Sequence, residues 1–363
     1  MKRDWTVPPD EPAPRPTLRL TVDPEALDAP AAAAALERAA EILRSGGTVA
    51  FPTETVYGLG AKALDEDAVR KIFAAKRRPA WDPLIVHVSD AGQLALVARE
   101  IPERARRLME AFWPGPLTLL LEKTAGIPPA VTAERPKVGV RLPAHPVAQR
   151  LIALAGTPVA APSANSFGRT SPTSAKFVLE DLDGRIDAVI DCGESPGGLE
   201  STVIDPGAEP PVLYRPGMIP LARLEEICGP IQVHQPGRRG GSETGALPSP
   251  GVGLKHYAPR AKLILFDLDA AGIARAVQQA EAVRAEGALP GFLLPEAAEA
   301  AGLGRLGATY RWGRWSDAEE LARRLFAGLR ELDSAGAAVI FCPLPKGDGV
   351  AEAIRDRLLK AAL

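Results

Sequence analysis

The sequence predicts an α/β fold in two parts, and three observations carry that expectation. Short β-branched apolar runs alternate with alanine- and leucine-rich stretches of helical period. The segment from Gly229 to Pro259 loses apolar period altogether and fills with proline and glycine. The chain has 363 residues with 46% hydrophobic content, enough for more than one core, and its length alone points to two domains.

The elements follow in order. Residues 1–27 read as an extended N-terminal arm: MKRDWTVPPDEPAPRP has two early basic residues but no apolar run behind them, so it does not read as a secretory signal. From Asp28 to Gly47 an acidic cap, Pro30, an amphipathic alanine-rich stretch and Gly46-Gly47 predict a helix with a proline start and a glycine stop. Thr48–Phe51 predicts a strand, and Pro52–Gly60, where prolines and glycines interleave with hydroxyls, a loop. Asp65–Lys76 carries Ala68, Ile72 and Ala75 at helical spacing, Leu84–Val88 reads as a buried strand and Ile101–Phe112 as a helix. Strands are expected at Leu117–Glu122, Val138–Arg141, Val159–Ala161, Ala188–Asp191 and Thr202–Asp205, which with the helices between them predicts a sheet with covered faces over 28–228. After the linker at 229–259, Leu263–Phe266, Ala270–Glu286, Gly291–Leu294, Ser316–Leu332, Ala338–Phe341 and Glu352–Leu363 alternate strand and helix. Residues 260–363 are therefore expected to form a small Rossmann-like α/β domain. No G-x-G-x-x-G follows its first strand, so no dinucleotide is assigned to it.

Composition narrows the function classes. Lys and Arg number 43 against 45 Asp and Glu, a formal charge of −2, so nothing global favours nucleic acid or an anionic membrane, and any anion site must be local. The run Ala31–Ala35 is followed by Glu37 and Arg38 and cannot supply the roughly 20 apolar residues of a membrane span. Cys192, Cys228 and Cys342 are odd in number and far apart, which fits neither a disulfide framework nor a metal site and suits a reducing compartment.

Several residues could carry chemistry. Lys76-Arg77-Arg78-Pro79 closes a predicted helix, where cations suit the helix dipole; the alternative is that Lys76 and Arg78 hold phosphate oxygens. Pro162-Ser-Ala-Asn165 follows a short strand, where open α/β sheets bind ligands, although Ser- and Asn-rich turns are commonly solvated connections. Gly197–Thr202 repeats that pattern. His87 closes an apolar strand, where a lone histidine is more often a satisfied core residue than a catalyst. Arg141 ends another, and a buried Arg calls for a carboxylate from protein or ligand. No Ser-His-Asp order, zinc motif or paired carboxylates stand out.

Taken together, GGTVAFPTETVYGLG, the Lys-x-Arg of KRRP, PLIVHV, WPGPLTL, VGVRLP, PSAN with SPT after it, GLESTVID and LYRPG resemble the threonylcarbamoyl-AMP synthase family. The order and spacing match its long form, with a YrdC-like domain first and a Sua5-type domain last, and PSPGVGLKHYAP resembles the linker between them. The resemblance implies a twisted open sheet around a concave groove holding ATP and L-threonine together. Thr55, His87, Arg141, Ala161 and Ser201 fall where the family holds threonine. Lys76, Arg78, Ser163, Asn165, Ser171 and Arg215 fall where it holds the nucleotide, with Asp82 and Lys137 at further nucleotide positions. His256 and Tyr257 match the linker segment that covers the nucleotide. Asp82 stands where the family usually has Asn, Phe167 where it has Ser, and Val252 and Leu254 where it has Met and Tyr.

The implied reaction joins L-threonine, bicarbonate or CO₂ and ATP into threonylcarbamoyl-AMP and pyrophosphate, for the threonylcarbamoyl modification of tRNA by a downstream transferase. It makes the chain a cytoplasmic nucleotidyltransferase with Lys76 and Arg78 as catalytic cations, Mg²⁺ accompanying ATP and no metal site built from side chains; from the net charge, stable tRNA binding is not expected. The alternatives are an RNA-binding module, or a non-catalytic sensor of threonine or nucleotide, on the same fold; a hydrogenase-maturation carbamoyl transferase would need acylphosphatase and zinc-finger segments that have no counterpart here.

Overall fold

A computed structural model describes residues 16–234, 249, 251, 253, 256–299 and 302–363. Residues 1–15 of the expected arm and most of the expected linker, Val252 and Leu254 included, lie outside the described residues. The chain divides into two compact units. The first holds the described residues up to Gly253 except Gly168–Ser171 and Gly197–Leu199, which join the residues from His256 onward in the second.

The first unit runs β1 (Leu18–Thr21), α1 (Pro30–Arg44), β2 (Val49–Phe51), β3 (Gly58–Lys62), α2 (Glu66–Lys76), β4 (Ile85–His87), α3 (Ala91–Val97), α4 (Glu103–Phe112), β5 (Leu117–Glu122), α5 (Pro129–Thr132), β6 (Lys137–Arg141), α6 (Pro146–Ala155), β7 (Val159–Ala160), α7 (Ala175–Leu182), β8 (Ala188–Asp191), β9 (Thr202–Asp205), β10 (Val212–Arg215), α8 (Leu221–Cys228) and β11 (Gln232–Val233). Its strands form one mixed sheet in the order β1-β8-β2-β3-β7-β4-β6-β5-β9-β10-β11. Within the stretch read as an arm, Leu18–Thr21 is an edge strand paired parallel with β8, and within the stretch read as linker β11 pairs parallel with β10.

The sheet is covered on both faces, as its apolar runs require. Along β2 and β8 successive side chains enter different cores: Val49, Phe51, Ala188 and Ile190 pack with α1 and α6, while Ala50 and Val189 pack with the cluster that holds Ile72, Phe73 and Val86.

Two details differ from the sequence reading. The cap of α1 is Ala29, with no side-chain cap bond; Asp28 lies one residue too early and stands exposed, 3.6 Å from Arg150. The stretch read as a loop to Gly60 turns into β3 at Gly58. Its glycines concealed a strand because they serve close packing: a Cβ on Gly60 would meet the Phe51 ring at 2.7 Å and Val159 at 2.8 Å.

The second unit runs β12 (Lys262–Phe266), α9 (Ala270–Ala285), β13 (Pro290–Pro295), α10 (Glu296–Glu299), a 3₁₀ turn (Leu303–Leu306), β14 (Ala308–Gly313), α11 (Ala318–Ser334), β15 (Val339–Pro343) and α12 (Val350–Ala361). The sheet order β12-β15-β13-β14 is parallel throughout, the small Rossmann-like sheet expected from the alternation. Gly197–Leu199 lies against α11 so closely that a Cβ on Gly198, whose φ is +77°, would meet the Ala322 carbonyl oxygen and the Arg323 Cα at 2.4 Å each. No helix among the described residues is long and apolar enough to cross a membrane.

Candidate active site

The end of α2 places two cations. Asp65 caps the helix start by accepting from the Asp67 and Ala68 amides, and at the other end Arg77 adopts a left-handed φ of 53°. The Arg77 and Arg78 amides then donate back to the Ala74 and Phe73 carbonyls, a Schellman-type stop. This reversal leaves Arg77 exposed and turns both Lys76 and Arg78 inward, where they are buried. The Lys-x-Arg spacing thus has a backbone cause.

Lys76 Nζ donates to the Ser163 carbonyl at 2.5 Å and to the Asn165 carbonyl, clamping the Pro162–Asn165 loop to the helix end. Ser163 Oγ donates to Asn165 Oδ1 at 2.6 Å. The same loop is stitched to the Pro52–Gly60 segment, with Ala164 N donating to the Tyr57 carbonyl and Leu59 N to the Pro162 carbonyl. Arg78 donates to the Asp82 and Pro83 carbonyls and forms a buried ion pair of 2.9 Å with Asp82 Oδ2. The Phe167 ring lies 6.0 Å from the Arg78 guanidinium and edge-on to Trp81, so this unexpected aromatic has a place beside the cation.

A second cluster forms where β4 and β6 end side by side. His87 and Arg141 are register partners, both buried. Arg141 donates to Thr55 Oγ1 at 2.9 Å and to the Gly115 carbonyl at 3.1 Å, while its Nη2 lies 2.6 Å from Glu54 Oε1, off the hydrogen-bonding direction. Thr53 and Thr55 share a hydroxyl bond of 2.7 Å that fixes the loop. Burial is the largest single influence on the Glu54 carboxyl and pushes it up, but the Arg141 guanidinium and the nearby Ala144 and Glu54 backbone amides together hold the group below its ordinary value. His87 is pushed down to about 3, first by burial and then by Arg141, so it is neutral at physiological pH. Both Glu54 oxygens, His87 Nδ1 and Arg141 Nη2 are buried with no hydrogen-bond partner. Unspent acceptors and donors around one ion pair are what a zwitterion could satisfy. Ala161 lies just past β7, its amide donating to the Ile85 carbonyl.

A chain of contacts links the clusters. Gly115, which accepts from Arg141, leads into Thr118; Thr118 Oγ1 bonds Ser201 Oγ at 2.7 Å; and Arg215 Nη2 donates to Ser201 Oγ at 3.1 Å, its Nε to the Ser201 carbonyl at 3.0 Å. Ser201, read as a threonine position, is thus tied directly to Arg215, read as a nucleotide position. Asp82 feels the charges of Arg78, Lys76 and Arg215 together.

Lys137 is held by its own partner. It opens β6 and Arg141 closes it, roughly 13 Å away at strand rise, and its Nζ donates to Asp205 at 2.6 and 2.8 Å. Ser171, His256 and Tyr257 belong to the second unit. There Tyr257, at a φ of 65°, is buried between the Phe326 ring and the Arg357 guanidinium, with His256 against it. Sequence reasoning missed Glu54; its one signal was a charged residue between two threonines in a loop bounded by apolar strands.

The chain is similar to known proteins along nearly its whole length. Residues 41–217 match the Sua5/YciO/YrdC family profile, described as telomere recombination, and residues 219–363 match the profile of the threonylcarbamoyl-AMP synthase C-terminal domain. The chain is 45% identical to the threonylcarbamoyl-AMP synthase of Pyrococcus abyssi, over 89% of this chain and 93% of that one. It is 42% identical to that of Bacillus subtilis, over 90% and 92%. A crystal structure of P. abyssi Sua5 complexed with L-threonine superposes with a TM-score of 0.85 at 41% identity, covering 95% of this chain and 98% of the other. With likeness extending through both units and almost end to end in each relative, the chain belongs to the threonylcarbamoyl-AMP synthase family.

Proposed function

We propose that this chain is an L-threonylcarbamoyladenylate synthase, a nucleotidyltransferase that converts L-threonine, bicarbonate and ATP to threonylcarbamoyl-AMP and pyrophosphate for tRNA modification. The observation that carries this reading is the contact chain from Thr55 and Arg141 through Gly115, Thr118 and Ser201 to Arg215. It sets a cluster suited to an amino acid beside a group of cations suited to phosphates. Arg141 takes the α-carboxylate, with Thr55, neutral His87, Ala161 and Ser201 around the rest of threonine. Lys76, Arg78, Arg215, Ser163 and Asn165 hold the nucleotide, and Ser171, His256, Tyr257 and Lys137 are assigned to it on resemblance alone.

In this reading bicarbonate loses water to give CO₂, the threonine amine adds to its carbon and gives up one proton to form a carbamate, and the carbamate oxygen then attacks the α-phosphate of ATP as the bond to the departing pyrophosphate breaks. The residues supply alignment and positive charge rather than a nucleophile, which is what transfer at phosphorus needs. Mg²⁺ would arrive on the phosphates and screen their charge, since no three His, Cys, Asp or Glu side chains converge among the described residues. On this reading the chain works in the cytoplasm, where ATP and tRNA meet, and the product passes to a downstream transferase.

The test is pyrophosphate release with L-threonine and bicarbonate omitted in turn, on wild type and Lys76→Ala. Release that needs both substrates and collapses in the variant supports the synthase. Binding of ATP and threonine without release supports a sensor instead.

A further inference from the structure

Asp82 presents a problem that the proposed reaction does not solve. Its side chain is 1% exposed, Oδ2 pairs with Arg78, and Oδ1 is buried with no hydrogen-bond donor. The charged groups acting on it are Arg78 and Lys76 from the end of α2 and Arg215 from the end of β10, all cations. Asp82 is their internal counter-ion. A triphosphate seated on the same three side chains brings more negative charge than they can offset, and a carboxylate left ionised among them would oppose it. Burial already holds the Asp82 carboxyl above its ordinary range, against the pull of the three cations.

We propose that nucleotide binding is coupled to proton uptake by Asp82. As the triphosphate takes over Arg78, Asp82 changes from counter-ion to neutral carboxylic acid, and the new Oδ1–H donates to a phosphate oxygen. The proton comes from solvent, one O–H bond forms, and no bond in the nucleotide breaks. The inference rests on the reading of Lys76, Arg78 and Arg215 as the phosphate site, and it adds a regulation: affinity for ATP falls as pH rises.

The experiment is calorimetric titration of the full chain with α,β-methylene-ATP in EDTA at pH 8, in two buffers of different ionisation enthalpy, on wild type and Asp82→Asn. The wild type should take up close to one proton more per nucleotide than the variant. Its affinity should weaken by up to about tenfold per pH unit above pH 8 relative to the variant, which carries a permanent donor at that position. Infrared difference spectra of the wild type need no variant, and should show a protonated-carboxyl band appearing with nucleotide. Equal proton numbers in the two proteins, or wild-type affinity that is restored by Mg²⁺ while that of Asp82→Asn is not, would overturn the coupling in favour of an inert or metal-binding carboxylate. Absence of any nucleotide binding in either protein would overturn the phosphate-site reading itself.

Discussion

Arg141 meets three partners at once: a threonine hydroxyl, a backbone carbonyl and the Glu54 carboxylate. A lysine cannot span them, because its ammonium is a single point and the guanidinium is a planar fork. Arg141→Lys should therefore raise the KM for L-threonine by about tenfold to a hundredfold, equivalent to roughly 1–3 kcal/mol, with the KM for ATP little changed; initial-rate kinetics in each substrate check this. His87 gives a stability prediction. Below pH 6.5 the unfolded imidazole takes a proton that the folded one refuses until about pH 3, so stability falls as pH drops through that window. His87→Gln should flatten the slope between pH 6.5 and 5 by up to about 1.4 kcal/mol per pH unit, read from urea unfolding of both proteins. The sequence showed that a buried arginine needs a carboxylate but could not say which. Glu54 lies 87 residues earlier in the chain, and only the antiparallel return of β3 beside β2 holds its loop at the end of β6.

At the scale of the element, α2 is the part of the site whose local code was most legible. The period of Ala68, Ile72 and Ala75, the Asp65 start and the basic end all appear in the structure. What the pattern could not show is the left-handed Arg77, since nothing in Lys-Arg-Arg-Pro separates a straight helix end from a reversed one. A non-glycine residue held there costs roughly 1–2 kcal/mol. Arg77→Gly should accordingly leave stability unchanged or raise it by about 1 kcal/mol, whereas Arg77→Val should lower it and weaken ATP binding by misplacing Arg78; thermal unfolding and nucleotide titration distinguish the two. Strands were legible where both faces are apolar, as in β5, and illegible where small or polar residues serve a neighbour. β3 hid behind its glycines, and β14, an edge strand of alternating exposure, gave no apolar run.

For the whole molecule, no motif or period signals that two short loops embedded in the first stretch of chain belong physically to the second unit. Loops carry no period, and the approach of Gly198 to α11 is a long-range fact. Gly198→Ala places a methyl into the Ala322 and Arg323 backbone at a positive φ, and should destabilise the chain by about 1–3 kcal/mol or more, lowering the midpoint of thermal unfolding. Gly156→Ala, also at positive φ but with open space around it, should cost only the backbone term.

That embedding has a consequence for how such genes can be recombined. A crossover placed in the proline- and glycine-rich stretch before His256 looks from the sequence like a clean joint between two modules. It would carry one parent's α11 across but leave behind Gly168–Ser171, whose Thr170 carbonyl accepts from Arg330 of α11, and Gly197–Leu199, which packs against that helix. Chimeras between distant parents should therefore need three grafts rather than one, and the two loops should be inherited with the distal half of the gene although they are written in its proximal half.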